Sequence, residues 1–327
     1  EKYDTYQPIG DKATKGKPNT PGVFQLYSNG LKSNRDAWVY NFSARAVEEN
    51  VRRMIEFYNS EVDRYQQADG AAKKIKVEDF IDFDSTQFSW DRVNKSDVAR
   101  GKKGVFDPSK VRTSLYRPFC KQALYFDASN QFNNCVYQLP KLFPTPAHEN
   151  IVITLPGPGS AGEFYALAID MLPALGVATS LQVFSLYTYE PVVEDDGGFN
   201  LNLGGGEVVD GYTRKENITD ATLAAYRSTY GDEGIAKEDI FYYIYALLHH
   251  PEYREKYAAD LKKMLPRIPL AKGFWEYSRA GRALAELHLG YESVAPYPLD
   301  EVVSSPAPED LEERFEFYRV QKLQFGP

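Results

Sequence analysis

Nine lysines and arginines fall between residues 92 and 121, where the only acidic residues are Asp97 and Asp107. Both cation types bind phosphate, and arginine is also the commonest reader of guanine edges. The chain has a net charge of −8, but residues 1–130 carry 22 Lys and Arg against 18 Asp and Glu. This basic window, residues 92–121, predicts a surface that contacts nucleic acid, with a solvated basic loop as the alternative. Its cations are Arg92, Lys95, Arg100, Lys102, Lys103, Lys110, Arg112, Arg117 and Lys121.

Two glycines indicate how part of the basic window is presented. Gly101 and Gly104 flank Lys102 and Lys103, so we expect this lysine pair in a turn that can approach a groove closely. Arg100 is the candidate reader of a guanine. The remaining cations are expected at phosphates on either side. They include Arg92, Lys95, Lys110 and Arg112.

Arg117 has two interpretations. It directly precedes Pro118 in a stretch of mixed aromatic and polar residues. Its guanidinium could form a structural ion pair, with Asp127 as the partner, or it could contact DNA. The sequence leaves both open.

A glycine-rich turn over 157–162 has the spacing GxGxxG, between a predicted strand over 151–155 and a predicted helix from Glu163 over 163–172. Such a turn can cradle a phosphate at a helix N-terminus. Against this, Glu163 would repel a phosphate, and the acid expected about 20 residues further on is missing. We therefore predict a tight strand-to-helix connection that brings Ser160 near a DNA phosphate. A nucleotide- or S-adenosylmethionine-binding enzyme is the alternative.

The motifs of several reactions are absent. Asp107-Pro108-Ser109 lacks the second proline and the aromatic residue of an adenine methyltransferase loop, and no GxxxxGK[ST] motif is present. The nearest nuclease-like string, Glu255-Lys256, falls in a predicted helix. His249 and His250 are adjacent, so on a helix they point about 100° apart and suit the C-terminal dipole better than a metal. We expect no catalytic, cofactor-binding or metal-binding residues here.

Apolar periodicity and turn residues predict the elements. Residues 1–34 are predicted to form a loop, and residues 197–211 a mobile surface segment. Predicted helices cover 43–59 or 43–65, 77–81, 163–172, 219–230, 237–250, 252–265 and 273–289. Predicted strands cover 112–116, 123–126, 151–155 and 181–189.

Composition places the chain among globular proteins, with 43% hydrophobic residues. No apolar run approaches the roughly 18 residues of a membrane helix, and nothing at Glu1 resembles a secretory signal, so we expect a cytoplasmic location. Cys120 and Cys135 are too few for a disulfide framework and are expected to be buried thiols. Because the sequence begins without Met in a polar run, we interpret it as part of a longer polypeptide.

Several sequence blocks occur in a set order. Tyr116-Arg117-Pro118-Phe119 precedes Leu124-Tyr125-Phe126-Asp127, and further blocks follow at 149–150, 157–160, 184–189, 241–254 and 265–269. In this order they resemble the C-terminal specificity part of the type ISP single-polypeptide restriction-modification enzymes, whose homologues are often labelled DEAD/DEAH-box helicases. The resemblance covers residues 31–292. Cys120 departs from it, because many relatives carry Asp there.

The resemblance implies an α+β fold in three parts. Residues 1–65 would form a loop and a helical connector towards a methyltransferase domain, residues 66–211 a mixed target-recognition region, and residues 212–327 a helical region. It implies recognition of a specific double-stranded DNA sequence, with the methyltransferase and helicase-like domains of the same polypeptide as partners. The full-length parent, with its nuclease, would use S-adenosylmethionine, ATP and Mg. A helical protein-interaction module over 217–327 remains an alternative.

Overall fold

The computed structural model describes residues 2–68, 75–177, 180–192, 206–296, 298, 302 and 305–319. The chain divides into two compact units, Glu1–Tyr291 and Glu292–Pro327. The predicted boundaries at residues 65 and 211 stay predictions. Most of the segment expected to be mobile, 197–211, lies outside the described residues.

Helices and strands alternate irregularly along the first unit. Its described helices are α1 (Asp36–Val39), α2 (Ala44–Gln66), α3 (Val77–Phe80), α4 (Arg92–Ala99), α5 (Leu139–Leu142), α6 (Asp220–Tyr230), α7 (Lys237–His249), α8 (Pro251–Lys256), α9 (Ala258–Leu261) and α10 (Phe274–Leu289). The second unit contains α11 (Leu311–Phe317).

The described strands form four small sheets. They are β1 (Gln7–Pro8), β2 (Ser28–Asn29), β3 (Tyr40–Asn41), β4 (Val111–Arg117), β5 (Cys120–Tyr125), β6 (Val152–Leu155), β7 (Leu167–Ile169), β8 (Leu172–Pro173), β9 (Gln182–Ser185), β10 (Tyr187–Pro191), β11 (Glu207–Val209), β12 (Tyr212–Glu216) and β13 (Arg267–Ile268). Their orders are β3-β5-β4-β8, β2-β9-β6-β7, β10-β12-β11 and β1-β13. The α+β prediction is confirmed.

The first hydrophobic core lies between α2 and the β3-β5-β4-β8 sheet. The hydroxyl of Ser43 caps α2 by accepting a hydrogen bond from the amide of Ala46. One stripe of α2, which includes Val47, Val51 and Met54, is fully buried, as its periodicity predicts.

The second core is built on α7 and α10, which pack closely along their length. A Cβ atom on Gly281 of α10 would lie 1.9 Å from the carbonyl oxygen of Tyr242 on α7, so only glycine allows this approach. Thr219 caps α6 through the amide of Thr222, and Gly231 ends it in a left-handed conformation. Both helix-end predictions are confirmed.

The helix predicted over 163–172 is wrong. This segment contains β7 and β8, and β7 pairs antiparallel with β6 with Val152 opposite Ile169. All three residues of β7 are buried. A short apolar run that is buried on both faces fits a strand. β7 lies at the edge of its sheet, where β6 pairs with it on one side and α10 packs against it.

Other predicted elements are divided. The strand over 181–189 is two strands, β9 and β10, that separate at Leu186 and pair with β6 and β12 respectively. The helix over 252–265 consists of the short helices α8 and α9, which meet at Tyr257.

Cys120 and Cys135 are free and only half-buried, so the expectation of buried thiols is wrong. Among the described residues, no helix is long and apolar enough to cross a membrane.

Candidate nucleic-acid interface

The basic window runs from α4 through a loop to the hairpin of β4 and β5. Asp91 caps α4 by accepting from the amides of Val93 and Asn94, which fixes the start of the window. Its carboxylate also binds the fully buried guanidinium of Arg35 at 2.8 Å. Since an unpaired buried charge is strongly destabilising, this pair anchors α4 to the core.

Asp97 joins two of the predicted DNA-binding cations. Its buried carboxylate lies 2.5 Å from the guanidinium of Arg100 and 3.3 Å from Nζ of Lys102. The side chains of Arg100 and Lys102 are 67% and 52% exposed. They can therefore reach a ligand, but one carboxylate offsets part of their charge.

The turn predicted between Gly101 and Gly104 is held against α2. Asn59 exchanges two hydrogen bonds with the backbone of Gly104, at 2.8 and 2.9 Å, and Tyr58 donates to the carbonyl of Lys102 at 2.8 Å. Lys103 pairs with Asp63 of α2 at 2.8 Å and is half-exposed. The lysine pair thus lies on an ordered turn.

Asp127, the possible ion-pair partner of Arg117, pairs with Lys110 instead. Nζ of Lys110 lies 3.1 Å from the buried Asp127. Arg117 instead stacks 4.1 Å above the ring of Tyr116 and donates to the carbonyl of that residue. The ion-pair interpretation of Arg117 is wrong, because Lys110 occupies its proposed partner.

Arg112 is turned towards the protein. Its guanidinium donates to the carbonyls of Phe143 and Thr145, at 2.7 and 3.1 Å, and lies 5.5 Å above the ring of Phe126. Burial lowers the pKa of Arg112 to about 10. These contacts secure the loop that follows α5.

Three further cations of the window lie near its surface. Arg92 is exposed in the first turn of α4. Lys95 lies over the ring of Phe83 at 5.1 Å, and Lys121 over the ring of Tyr291 at 5.1 Å. The negative face of an aromatic ring attracts such a cation.

The glycine-rich turn over 157–162 joins β6 to β7 and does not begin a helix. The amide of Gly159 donates to the carbonyl of Lys262, and that of Ser160 to the carbonyl of Gly157. The predicted strand-to-helix connection is wrong, and these two amides bind protein carbonyls. Ser160 itself is half-exposed.

His249 ends α7 and His250 follows it, as predicted for a helix terminus. Burial lowers the pKa of His249 to about 4, and its Nε2 atom is buried without a hydrogen-bond partner in the described structure. His288 is its ring neighbour at 5.6 Å. Across the described ranges, no three His, Cys, Asp or Glu side chains are placed to hold a metal ion.

Sequence reasoning missed a second group of cations. Lys12, Lys15, Lys263 and Arg267 line one cleft of about 580 Å³. No local spacing marks them, because they come from two distant segments that the pairing of β1 with β13 brings together.

Comparison with known proteins places these features in context. A family model described as Type ISP C-terminal specificity domain matches residues 22–327. Among solved structures, the cryoEM DrdV–DNA complex is 34% identical with a TM-score of 0.75, over 95% of this chain and 28% of that chain. A nuclease-deletion mutant of the Type ISP restriction-modification enzyme LlaGI, in complex with a DNA substrate mimic, is 32% identical with a TM-score of 0.72, over 90% and 24%.

A third similar structure is the ATP-dependent Type ISP restriction-modification enzyme LlaBIII bound to DNA. It is 26% identical with a TM-score of 0.71, over 92% of this chain and 17% of that chain. The chain therefore spans less than a third of each of these three proteins. No curated protein matches it.

Proposed function

Because the chain belongs to the family of Type ISP C-terminal specificity domains, we propose that it recognises a specific sequence in double-stranded DNA on behalf of a restriction-modification enzyme. The family match over nearly the whole chain carries this proposal. The similar solved structures support it, since each contains DNA or a DNA mimic. The chain contributes binding, and the bound sequence decides where the enzyme acts.

The chemistry belongs to other domains in this proposal. A methyltransferase, a helicase-like motor and a nuclease of the same polypeptide act on the DNA, and they use S-adenosylmethionine, ATP and Mg. The chain itself binds none of these cofactors and catalyses no methyl transfer, ATP hydrolysis or cleavage. The role named for its family, specificity, supports this division.

The basic window offers contacts of two kinds in this proposal. Its exposed cations Arg92, Arg100, Lys102, Lys103 and Arg117, together with the half-exposed Lys95, reach phosphates or bases. Lys110 and Arg112 position the hairpin of β4 and β5 through Asp127 and the carbonyl of Phe143. Ser160 is a further candidate for a phosphate contact, on the turn between β6 and β7.

Selection from a randomised duplex pool tests the proposal. The purified chain should enrich one asymmetric sequence, which it should bind at least about 10³-fold more tightly than unrelated duplex at physiological salt. The same pool as single strands is the control. If all duplex sequences are recovered equally, the chain binds DNA without sequence specificity, and the proposed function is wrong.

A further inference from the structure

The cleft between the N-terminal segment and the segment around residue 265 carries an uncompensated positive charge. Its lining includes the cations Lys12, Lys15, Lys263 and Arg267, and the only acid among the described lining residues is Asp11. Within the described structure, none of these four cations forms an ion pair with a carboxylate. In a protein of net charge −8, such a local concentration marks a site for an anion.

The single acid of this basic cleft is engaged within its own loop. The carboxylate of Asp11 accepts from the amide and the hydroxyl of Thr14, at 2.8 and 2.6 Å. These hydrogen bonds lower the pKa of Asp11. They also hold the loop that carries Lys12 and Lys15, so the carboxylate orders the lysines and forms no ion pair with them.

The cations stand on an ordered framework. Gly10 packs so closely against the rings of Tyr27 and Phe184 that a Cβ atom would lie 2.9 Å from them. Nζ of Lys15 lies 4.4 Å above the ring of Tyr27. Arg267 donates to the backbone carbonyl of Tyr6 at 2.8 Å, which orients its guanidinium without offsetting its charge. A preorganised cationic site binds anions with little ordering cost.

The basic window differs in this respect. At least four of its nine cations, Arg100, Lys102, Lys103 and Lys110, already pair with carboxylates. Arg112 is turned inwards, so its guanidinium is less accessible to a ligand. A larger share of the cations in the basic cleft is therefore available to a phosphate than in the basic window.

We propose that the phosphate backbone of duplex DNA lies in the basic cleft formed by Lys12, Lys15, Lys263 and Arg267. The inference deepens the proposed function and rests on it, since it assigns a second contact surface for the same DNA. A nucleotide is the other phosphate source. The glycine-rich turn beside the cleft does not suit one, because the amides of Gly159 and Ser160 donate to protein carbonyls.

Matched lysine pairs test the assignment. Lys12→Ala and Lys263→Ala each remove one exposed cleft cation, whereas Lys17→Ala and Lys262→Ala remove an exposed lysine from the same two segments outside the cleft lining. Binding of a fluorescent duplex is measured from 50 to 300 mM salt. Circular dichroism confirms that each variant is folded.

Each cleft variant should make the negative slope of log K against log salt shallower by about 0.9, which corresponds to about eightfold weaker binding at 0.1 M salt. The variant with both Lys12→Ala and Lys263→Ala should bind about 60-fold more weakly. The Lys17 and Lys262 variants should change much less. If the cleft variants bind duplex DNA as tightly as the Lys17 and Lys262 variants, the assignment of the cleft is overturned. Duplex binding by the parent chain would still support the proposed function in that case.

Two further outcomes distinguish a nucleotide from DNA as the ligand of the cleft, and a failure of the cleft assignment from a failure of the proposed function. Millimolar ATP should leave duplex binding unchanged apart from its contribution to ionic strength. Displacement beyond a matched salt control, abolished by Lys12→Ala, would assign the cleft to a nucleotide. If the parent chain binds no duplex at 50 mM salt, the proposed function itself fails and the cleft assignment fails with it.

Discussion

Nζ of Lys110 lies 3.1 Å from a carboxylate oxygen of Asp127, at the point where β4 begins and β5 has ended. The same carboxylate accepts hydrogen bonds from the hydroxyl of Ser129 and the amide of Phe132. One buried acid thus joins the hairpin to the loop that follows it. The contact makes Lys110 a structural residue in a basic stretch.

Asp127→Ala should lower the free energy of unfolding by about 3 kcal/mol, because the buried amide of Phe132 loses its acceptor. Lys110→Ala should cost about 1 kcal/mol, because its side chain is one-third exposed and the solvent can replace the pair. Urea denaturation at pH 7 measures both. Equal losses in the two variants would mean that the ion pair, and not the hydrogen bonds, carries the stability.

The stability contributed by Asp127 should depend on pH. Burial raises its pKa, but hydrogen bonds from Ser129 and Phe132 and the charge of Lys110 outweigh burial and lower it. A lowered folded-state pKa gives stability that is present above the unfolded pKa and is lost as the pH falls through the folded value. The difference in unfolding free energy between the parent and Asp127→Asn should therefore shrink from pH 7 to pH 3. A constant difference would contradict this.

Gly281→Ala should disrupt the packing of α7 on α10. The new methyl group would lie 1.9 Å from the carbonyl oxygen of Tyr242, a backbone atom that cannot rotate away. We expect a loss of at least about 3 kcal/mol, at the upper end of overpacking effects. Ala283→Gly, an exposed position of α10, is the control and should cost about 1 kcal/mol through helix propensity. Thermal unfolding measures both, and similar losses would show that the contact is not tight.

Features with a local cause could be predicted from the sequence. The buried stripe of α2 follows from the spacing of Val47, Val51 and Met54, and the ends of α6 follow from Thr219 and Gly231. In each case, residues within a few positions of one another determine the backbone conformation. Long-range pairing was not needed.

Features that depend on distant partners could not be predicted. The segment 163–172 forms strands because β6 is available to pair with β7 and β4 with β8, which the segment's own residues do not specify. Charge counts found the basic window but not the pairing of Lys103 with Asp63 or of Lys110 with Asp127, since both acids lie outside the window in sequence. The basic cleft was missed because its cations come from both ends of the first unit.

His249 should make the protein less stable in mild acid. Burial lowers its pKa to about 4, so the unfolded chain takes up a proton between the ordinary value and about 4 that the folded chain excludes. The parent should lose about 1 kcal/mol between pH 7 and pH 5, a figure reduced for partial solvent access. His249→Gln should lose less over the same range and should bind DNA like the parent. Identical pH dependence in the two proteins would show that His249 has no part in it.

Lys102→Ala/Lys103→Ala tests whether the basic window faces DNA. If both lysines contact phosphates, the negative slope of log K against log salt should become shallower by about 1.8. Lys17→Ala controls for the loss of one exposed charge. Binding curves that overlay the parent at every salt concentration would remove this turn from the DNA surface, whatever the result for the basic cleft.

Arg100 separates base reading from phosphate binding within the same window. Its guanidinium is two-thirds exposed and held in place by Asp97, a geometry that presents the outer donors in a fixed direction. If it reads a guanine, Arg100→Ala should cost about 1–3 kcal/mol on the preferred sequence and relax the preference at one position. Binding to unrelated duplex should change little. Comparing the duplexes enriched by the parent with those enriched by the variant measures this, and a uniform loss on all sequences would make Arg100 a phosphate contact.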